Sequence, residues 1–199
     1  MKHLNVRDRL IENAVRIIAE NGFDKTTTKA IVSGTDINEA YIYKYFDDKE
    51  NLFVSVFENL DKELLNTLMQ SISVIYMSEL DIKLRCRMFF DAIWKLMLDN
   101  KENCLAFVRY YYSPYFSKYS ADKHKQLYEP LMEKLKPIFI DEANVWMILN
   151  HVLNVMLDFA VKVHNNQMPE KDNYSEHVFR VVYHSIEQYF KKEKVTDDE

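Results

Sequence analysis

The chain has 199 residues, 48% of them hydrophobic, and a formal net charge of −5. That is enough apolar material for one large core or two small ones, and the acidic balance lacks the basic excess that marks many nucleic-acid binders. Two glycines and four prolines are too few to turn an all-β chain or to build a glycine-rich phosphate loop, so a mostly helical protein is predicted.

The first helix is predicted over Val6–Asn21, with Leu10, Ile11, Ala14, Ile17 and Ile18 on one face. Gly22 suits the left-handed position just past its end. Thr26, Thr27 and Thr28 offer hydroxyl caps for a short second helix that turns Ala30 and Ile31 inward. A turn over residues 34–36 follows. Asp36 and Glu39 have capping-box spacing and Asn38 is an alternative cap, so a third helix is predicted over about 38–45. Asp47 and Glu50 repeat that spacing before a long fourth helix, about 48–76, striped by Leu52, Phe53, Val56, Phe57, Leu60, Leu64 and Leu68. Helices as short as the second and third are marginal alone. A helix-turn-helix, which places its second helix in a DNA groove, is the arrangement that would justify them.

Later helices are predicted at about 81–99, 101–113, 121–136, 141–166 and 172–192. Pro114, Pro130, Pro137 and Pro169 are read as helix boundaries. Residues 113–121 form a Tyr/Ser-rich hinge, and the charged tail after Phe190 is expected to fray. Cys86 and Cys104 lie in apolar helical stretches and read as buried free thiols, which suits a reducing cytosol. The N-terminus is charged and amphipathic, without the apolar run of a signal peptide. The most hydrophobic stretch, 145–163, is interrupted by Asn150, His151, Asn154 and Asp158, so it is read as a buried or interface helix rather than a membrane span. A cytoplasmic protein with no membrane partner is expected.

The N-terminal quarter resembles the TetR family of bacterial transcriptional regulators. The resemblance is carried by Ile11, Ala14, Ile18, Glu20, Gly22, Phe23, Thr26, Thr27 and Ile31, then Ile37, Tyr43, Tyr45, Phe46, Lys49, Glu50, Leu52 and Phe53, in order. It implies an all-α fold: a three-helix helix-turn-helix DNA-binding domain over residues 1–50 and a helical ligand-binding and dimerisation domain over 51–199. The chain departs from the family pattern at Val32, where a small residue is usual, at Thr35-Asp36, where Ala-Gly is usual, and at Ala40, where glycine is usual. Asp36 tolerates a positive φ better than most residues, which would preserve the turn.

On this reading Thr27 and Thr28 cap the second helix while reaching a phosphate, and Lys49 pins a phosphate from the start of the fourth helix. The resemblance implies the same role for Tyr43 and Tyr45. Such contacts set register and affinity but not sequence. Lys29 belongs with Lys25, Lys44 and Lys49 to a cluster around three helix N-termini. Asn38, Glu39, Ala40, Tyr41 and Lys44 are the candidates for reading bases. Lys44 can donate to guanine, Asn38 can pair with adenine and Glu39 can accept from cytosine, while Ala40 allows close approach. Ile37, Ile42 and Phe46 are read as packing residues. Some headpiece acids, namely Asp36, Asp47 and Glu50, are accounted for as caps.

Specific recognition by so small a headpiece calls for two copies, hence a homodimer on a palindromic double-stranded operator. Val152, Val155 and Phe159 of the 141–166 helix and Val178, Val182 and Ile186 of the 172–192 helix are the interface candidates, pairing as a four-helix bundle as the resemblance implies. Phe90, Trp94, Phe107, Tyr110 and Tyr111, with Trp146, Asn150 and Asn154 as handles, are candidates to line a pocket for a small apolar or amphipathic ligand. The function expected is a repressor released from its operator by that ligand. The alternatives are a helical ligand carrier or interaction protein with a non-functional DNA headpiece, or a bundle enzyme. The enzyme reading is disfavoured because none of the six histidines has a glutamate three residues before it. No catalytic residue, metal or cofactor is expected.

Overall fold

The computed structural model describes residues 5–168 and 174–192. Lys2, His3, Pro169 and the charged tail beyond Lys192 lie outside the described residues. Among those described, nine α-helices account for most of the chain: α1 (Val6–Asn21), α2 (Thr28–Val32), α3 (Ala40–Tyr45), α4 (Lys49–Ser71), α5 (Ile82–Asp99), α6 (Lys101–Tyr111), α7 (Ala121–Leu135), α8 (Val145–His164) and α9 (Tyr174–Ile186). The fold is all-α, and among the described residues an isolated antiparallel bridge joins Phe139 and Phe190.

Several ends move from their expected places for identifiable reasons. Asn144 accepts from the Met147 N–H at 3.0 Å, so α8 starts at its cap rather than near residue 141. The fourth helix tightens into a 3₁₀ turn over Ile72–Tyr76, which buries Ile72 and Ile75. The hinge after Pro114 is a π-helical turn, Phe116–Ser120. Pro130 is not a boundary but lies inside α7. Its missing N–H costs one ladder bond on an exposed face, offset by Tyr128, Leu131 and Leu135 buried on the other.

The described chain divides into two compact units. The first comprises residues 1–67 and 95–127, the second 68–94 and 128–199. In the first, α1 packs on α6 and on the short helices, and Leu10, Ala14 and Ile18 are fully buried. Complete burial of a leucine or isoleucine side chain is worth about 1.5–3 kcal/mol. Both ends of α1 are capped. Asn5 accepts from the Asp8 N–H at 2.9 Å, and the Ile18 carbonyl accepts from the Gly22 N–H at 2.9 Å and from the Arg109 guanidinium at 2.8 Å. Phe57 stacks on Tyr110 at 4.7 Å and anchors an aromatic cluster that includes Phe107 and Phe116.

In the second unit α8 and α9 pack together around an apolar interior. Arg87 ties α5 to the start of α9. Its Nε lies 2.9 Å from both Asp91 carboxylate oxygens, its Nη2 donates to Ser175 at 2.8 Å, and its Nη1 reaches Glu176.

Gly22 has φ 75° and ψ 177°. It occupies the extended mirror-image region rather than the left-handed helical one, and that region is essentially restricted to glycine. A Cβ added there would also sit 3.3 Å from the Arg109 guanidinium. Gly22→Ala is therefore expected to lower unfolding free energy by about 1–3 kcal/mol, read as a shift in the urea midpoint at unchanged slope.

Candidate nucleic-acid interface

The α2–turn–α3 segment is held from below by four apolar side chains. Ile31 and Ile42 are completely buried, and Ile37 and Phe46 nearly so, in keeping with their reading as packing residues. With Ile42 and Phe46 facing inward, α3 turns Ala40, Tyr41, Tyr43, Lys44 and Tyr45 outward. Tyr43 is 60% exposed, Tyr41 and Tyr45 about 40%. Tyr41 and Tyr45 stack at 6.3 Å, and the Lys44 ammonium lies 5.3 Å and 5.7 Å from their ring centroids. Three exposed phenols and an ammonium on six residues form a rigid surface that donates hydrogen bonds.

The hydroxyls of the turn are mostly committed internally. Thr26 is buried and donates to the Gly22 carbonyl at 2.7 Å. Thr27 is the α2 cap, accepting from the Ala30 N–H at 3.1 Å. Thr28 is neither a cap nor free, because its hydroxyl is hydrogen-bonded to the Glu39 carboxylate. Glu39 is thus held by α2, while Asn38 accepts from the Ala40 N–H at 2.9 Å and serves as the local cap. The expected Asp36–Glu39 capping box does not form, because Asp36 pairs with Arg9 of α1. Similarly Asp48, not Asp47, caps α4, accepting from the Asn51 N–H at 2.7 Å.

Thr35 and Asp36, two of the residues at which the sequence departs from the pattern it resembles, have local partners. The positive φ falls on Gly34, at 75°, and not on Asp36. The Thr35 hydroxyl donates to the Val32 carbonyl at 2.7 Å and accepts from the Ile37 N–H at 3.1 Å. Lys29 is exposed, whereas Lys49 is half-buried with its ammonium 5.5 Å from the Phe53 ring centroid.

The effector candidates are distributed over both units. Phe107, Tyr110 and Tyr111 belong to the aromatic cluster of the first, where burial raises the pKa of both tyrosines and keeps them protonated. That cluster adjoins a pair the sequence reading missed: His124 Nδ1 lies 2.8 Å from an Asp61 carboxylate oxygen, both buried. The available signal was an acid set within the apolar stripe of α4. The pair lines a cleft of about 180 Å³ with Glu58, Lys62 and Lys123. In the second unit, Phe90 lines an apolar cavity, Trp94 stacks behind it at 5.7 Å, and the Asn150 amide donates to the Trp146 carbonyl at 2.9 Å. Asn154 is half-buried.

Of the interface candidates, Val178, Val182 and Ile186 are buried within their own chain, and Val152, Val155 and Phe159 are half-buried. The outward residues of the same helices are Met147, 68% exposed, and Val181, 53% exposed. The same two helices are joined by a 2.9 Å hydrogen bond between His151 and Ser185. By length and composition α8 is apolar enough to cross a membrane, and 33% of its apolar window is buried. Cys86 and Cys104 are free, their thiols pushed up to about 12 by burial. Among the described residues no group of three metal-ligating side chains converges.

Residues 10–56 match the sequence pattern of "Bacterial regulatory proteins, tetR family". A stretch of 66 residues, 33% of this chain, is 29% identical to the biofilm operon icaADBC HTH-type negative transcriptional regulator IcaR of Staphylococcus epidermidis. That stretch spans only 36% of the relative's length. The fold is similar to a tetR-family transcription regulator from Marinobacter aquaeolei (TM-score 0.73, 16% identity, 90% of this chain and 94% of that one). It is also similar to one from Shewanella sp. PV-4 (TM-score 0.75, 14% identity, 95% and 100%).

Arg9 holds the Asp36 carboxyl below its ordinary pKa through their hydrogen bond. The contribution of this pair to stability is present above the unfolded carboxyl's pKa of about 3.9 and is lost as pH falls through the lower folded value. In Arg9→Ala the Asp36 titration, followed by carboxyl NMR, is expected to move upward, toward the ordinary range, with the lowering by the backbone hydrogen bond at Asp36 retained.

Proposed function

We propose that this chain, whose N-terminal domain belongs to the tetR family of bacterial regulatory proteins, is a homodimeric DNA-binding repressor that a small molecule releases from its operator. Residues 1–50 act as the DNA-binding domain and residues 51–199 as the regulatory and dimerisation domain. The observation that carries the reading is the outward face of α3, where Tyr41, Tyr43, Lys44 and Tyr45 stand exposed above a fully buried Ile42. Three aromatic side chains gathered on one short helix make an exposed contiguous patch of the kind that marks an interaction site. A DNA major groove admits a helix of this width.

Lys44, Tyr41 and Ala40 take the base edges. Tyr43, Tyr45, Lys29, Lys49 and Thr27 take phosphates. Asn38, Glu39 and Thr28 reach DNA only by exchanging the internal hydrogen bonds they now make. Repression needs no more than occupancy of a promoter, and the negative regulator IcaR is similar over the headpiece. The outer faces of α8 and α9, with Met147 and Val181, supply the apolar surface for a two-fold pairing, in which Val155 and Phe159 join at the edge. The protein acts in the cytoplasm, where its DNA target lies.

Sequences selected from random DNA by the full-length protein should be palindromic with half-sites about 34 Å apart. With four to six phosphate contacts per protomer, the slope of log affinity on log salt should be no steeper than about −11. An affinity indifferent to salt overturns the reading. Tyr43→Phe is expected to weaken operator binding by about 10–100-fold, the worth of one hydrogen bond to a charged oxygen. Lys49→Ala should weaken all sequences alike and flatten the salt slope by about 1 per protomer. Both are read by gel shift at several salt concentrations.

A further inference from the structure

The second compact unit holds a cavity of about 70 Å³ between α5, α8, α9 and the segments around Phe139 and Phe190. Protein interiors leave few voids larger than a water molecule, and an unfilled one costs stability in proportion to its volume. This void has room for more than one water at roughly 10–15 Å³ each, but water needs two to four polar partners to stay. The walls do not offer them. They are formed by aromatic and aliphatic side chains such as Phe89, Phe90, Leu149, Val152, Met156 and Val182.

Among the lining side chains only Cys86 and Tyr183 carry a hydrogen-bond donor, and neither is charged near neutral pH, since burial raises the pKa of both. Ionic groups beside the lining are engaged elsewhere: Arg87 pairs with Glu176, and the buried Arg85 donates to the Ile75 carbonyl at 3.0 Å. A charged ligand placed here would lose its hydration with nothing to replace it. The aromatic cluster of the first unit differs in that its cleft carries Asp61, His124, Glu58 and Lys123.

We propose that this cavity is the effector site and that it takes a small, uncharged, purely apolar molecule of about one ring or less. The proposal deepens the repressor reading and rests on it. It narrows the ligand from apolar or amphipathic to apolar alone and places it in the second unit, away from Phe107, Tyr110 and Tyr111. Half-exposed Phe89, Val145 and Val152 give an access path. Met156, unbranched and adaptable, lets the wall yield to a ring. Ile148, Val152 and Met156 face the cavity from α8, and Val182 and Ile186 face it from α9. An occupant therefore acts on the two helices whose outer faces are proposed to pair the protomers, and it shifts operator affinity only as far as it prefers one pairing over another.

The test uses full-length protein without DNA, with xenon and benzene as probes and benzoate and benzylammonium as charged counterparts. Near ten times its dissociation constant, benzene should raise Tm by about 3 °C. Both neutral probes should shift the methyl NMR signals of Ile148 and Leu149 while leaving those of Leu10 and Ile31 in place. The charged counterparts should do neither. Val152→Ile and Val182→Ile each add a methylene to the void, and at least one folded variant should lose several-fold in benzene affinity. No response to either neutral probe, an equal response to benzoate, or unchanged benzene affinity in both variants overturns the proposal. Gel shifts are run separately, so a failure to bind DNA counts against the repressor reading alone and leaves these readouts intact.

Discussion

Six residues of α-helix are too few to persist in water on their own backbone hydrogen bonds, so α3 exists because its neighbours hold it. Ile42 and Phe46 fasten its inner face to the core, and Ile31 and Ile37 do the same for the helix and turn before it. The polar ties add direction: Arg9 to Asp36 from α1, and Thr28 to Glu39 from α2. The apolar anchors give most of the energy, because the polar pairs are exposed or half-exposed and such pairs contribute little in high dielectric. The ties instead fix the angle at which the tyrosines leave the surface. Everything proposed for DNA depends on that fixed presentation.

The same ties bear on the acidic balance of the chain. Asp36 and Glu39 stand just before α3, and left alone they would repel the phosphate backbone proposed to lie against it. Each is instead committed to a partner within the headpiece, so Lys44 and the tyrosine hydroxyls define the outward face. Potential at a surface depends on placement more than on net charge, and here the placement offsets part of the sum. It also makes the proposed contact of Glu39 with cytosine conditional, since the carboxylate must leave Thr28 first.

The two compact units have different interiors. The first mixes stacked aromatics with a buried His124–Asp61 pair and an Arg109 that closes the end of α1. Its polar groups demand particular partners, which favours one arrangement. The second has an apolar cavity, with ionic groups such as the Arg87–Glu176 pair and the buried Arg85 kept out of its lining. Such packing is non-directional and tolerates a guest more readily than a hydrogen-bonded core does. The long apolar α8 serves both sides of this unit, lining the cavity inward and leaving Met147 outward.

Period and capping chemistry made the helices legible. The first helix begins and ends where its apolar spacing and Gly22 indicate, and the α3 tyrosines stand exposed where a buried Ile42 requires them to be, because a helix of known period has only one way to face. Which partner each polar group takes was not legible. Asp36 has capping-box spacing yet binds Arg9, Thr28 reads as a cap yet binds Glu39, and Asp48 rather than Asp47 starts α4, since a carboxylate answers to whatever donor the fold brings nearest. The aromatic residues of the middle helices read as one pocket because they are close in sequence. Tertiary packing divided them, sending Phe107 and Tyr110 to one core and Phe90 to another, and it buried Val178, Val182 and Ile186 while leaving Met147 and Val181 in solvent. Local spacing sets which face of a helix is apolar, but only the neighbours that arrive from elsewhere in the chain decide how much of that face is covered.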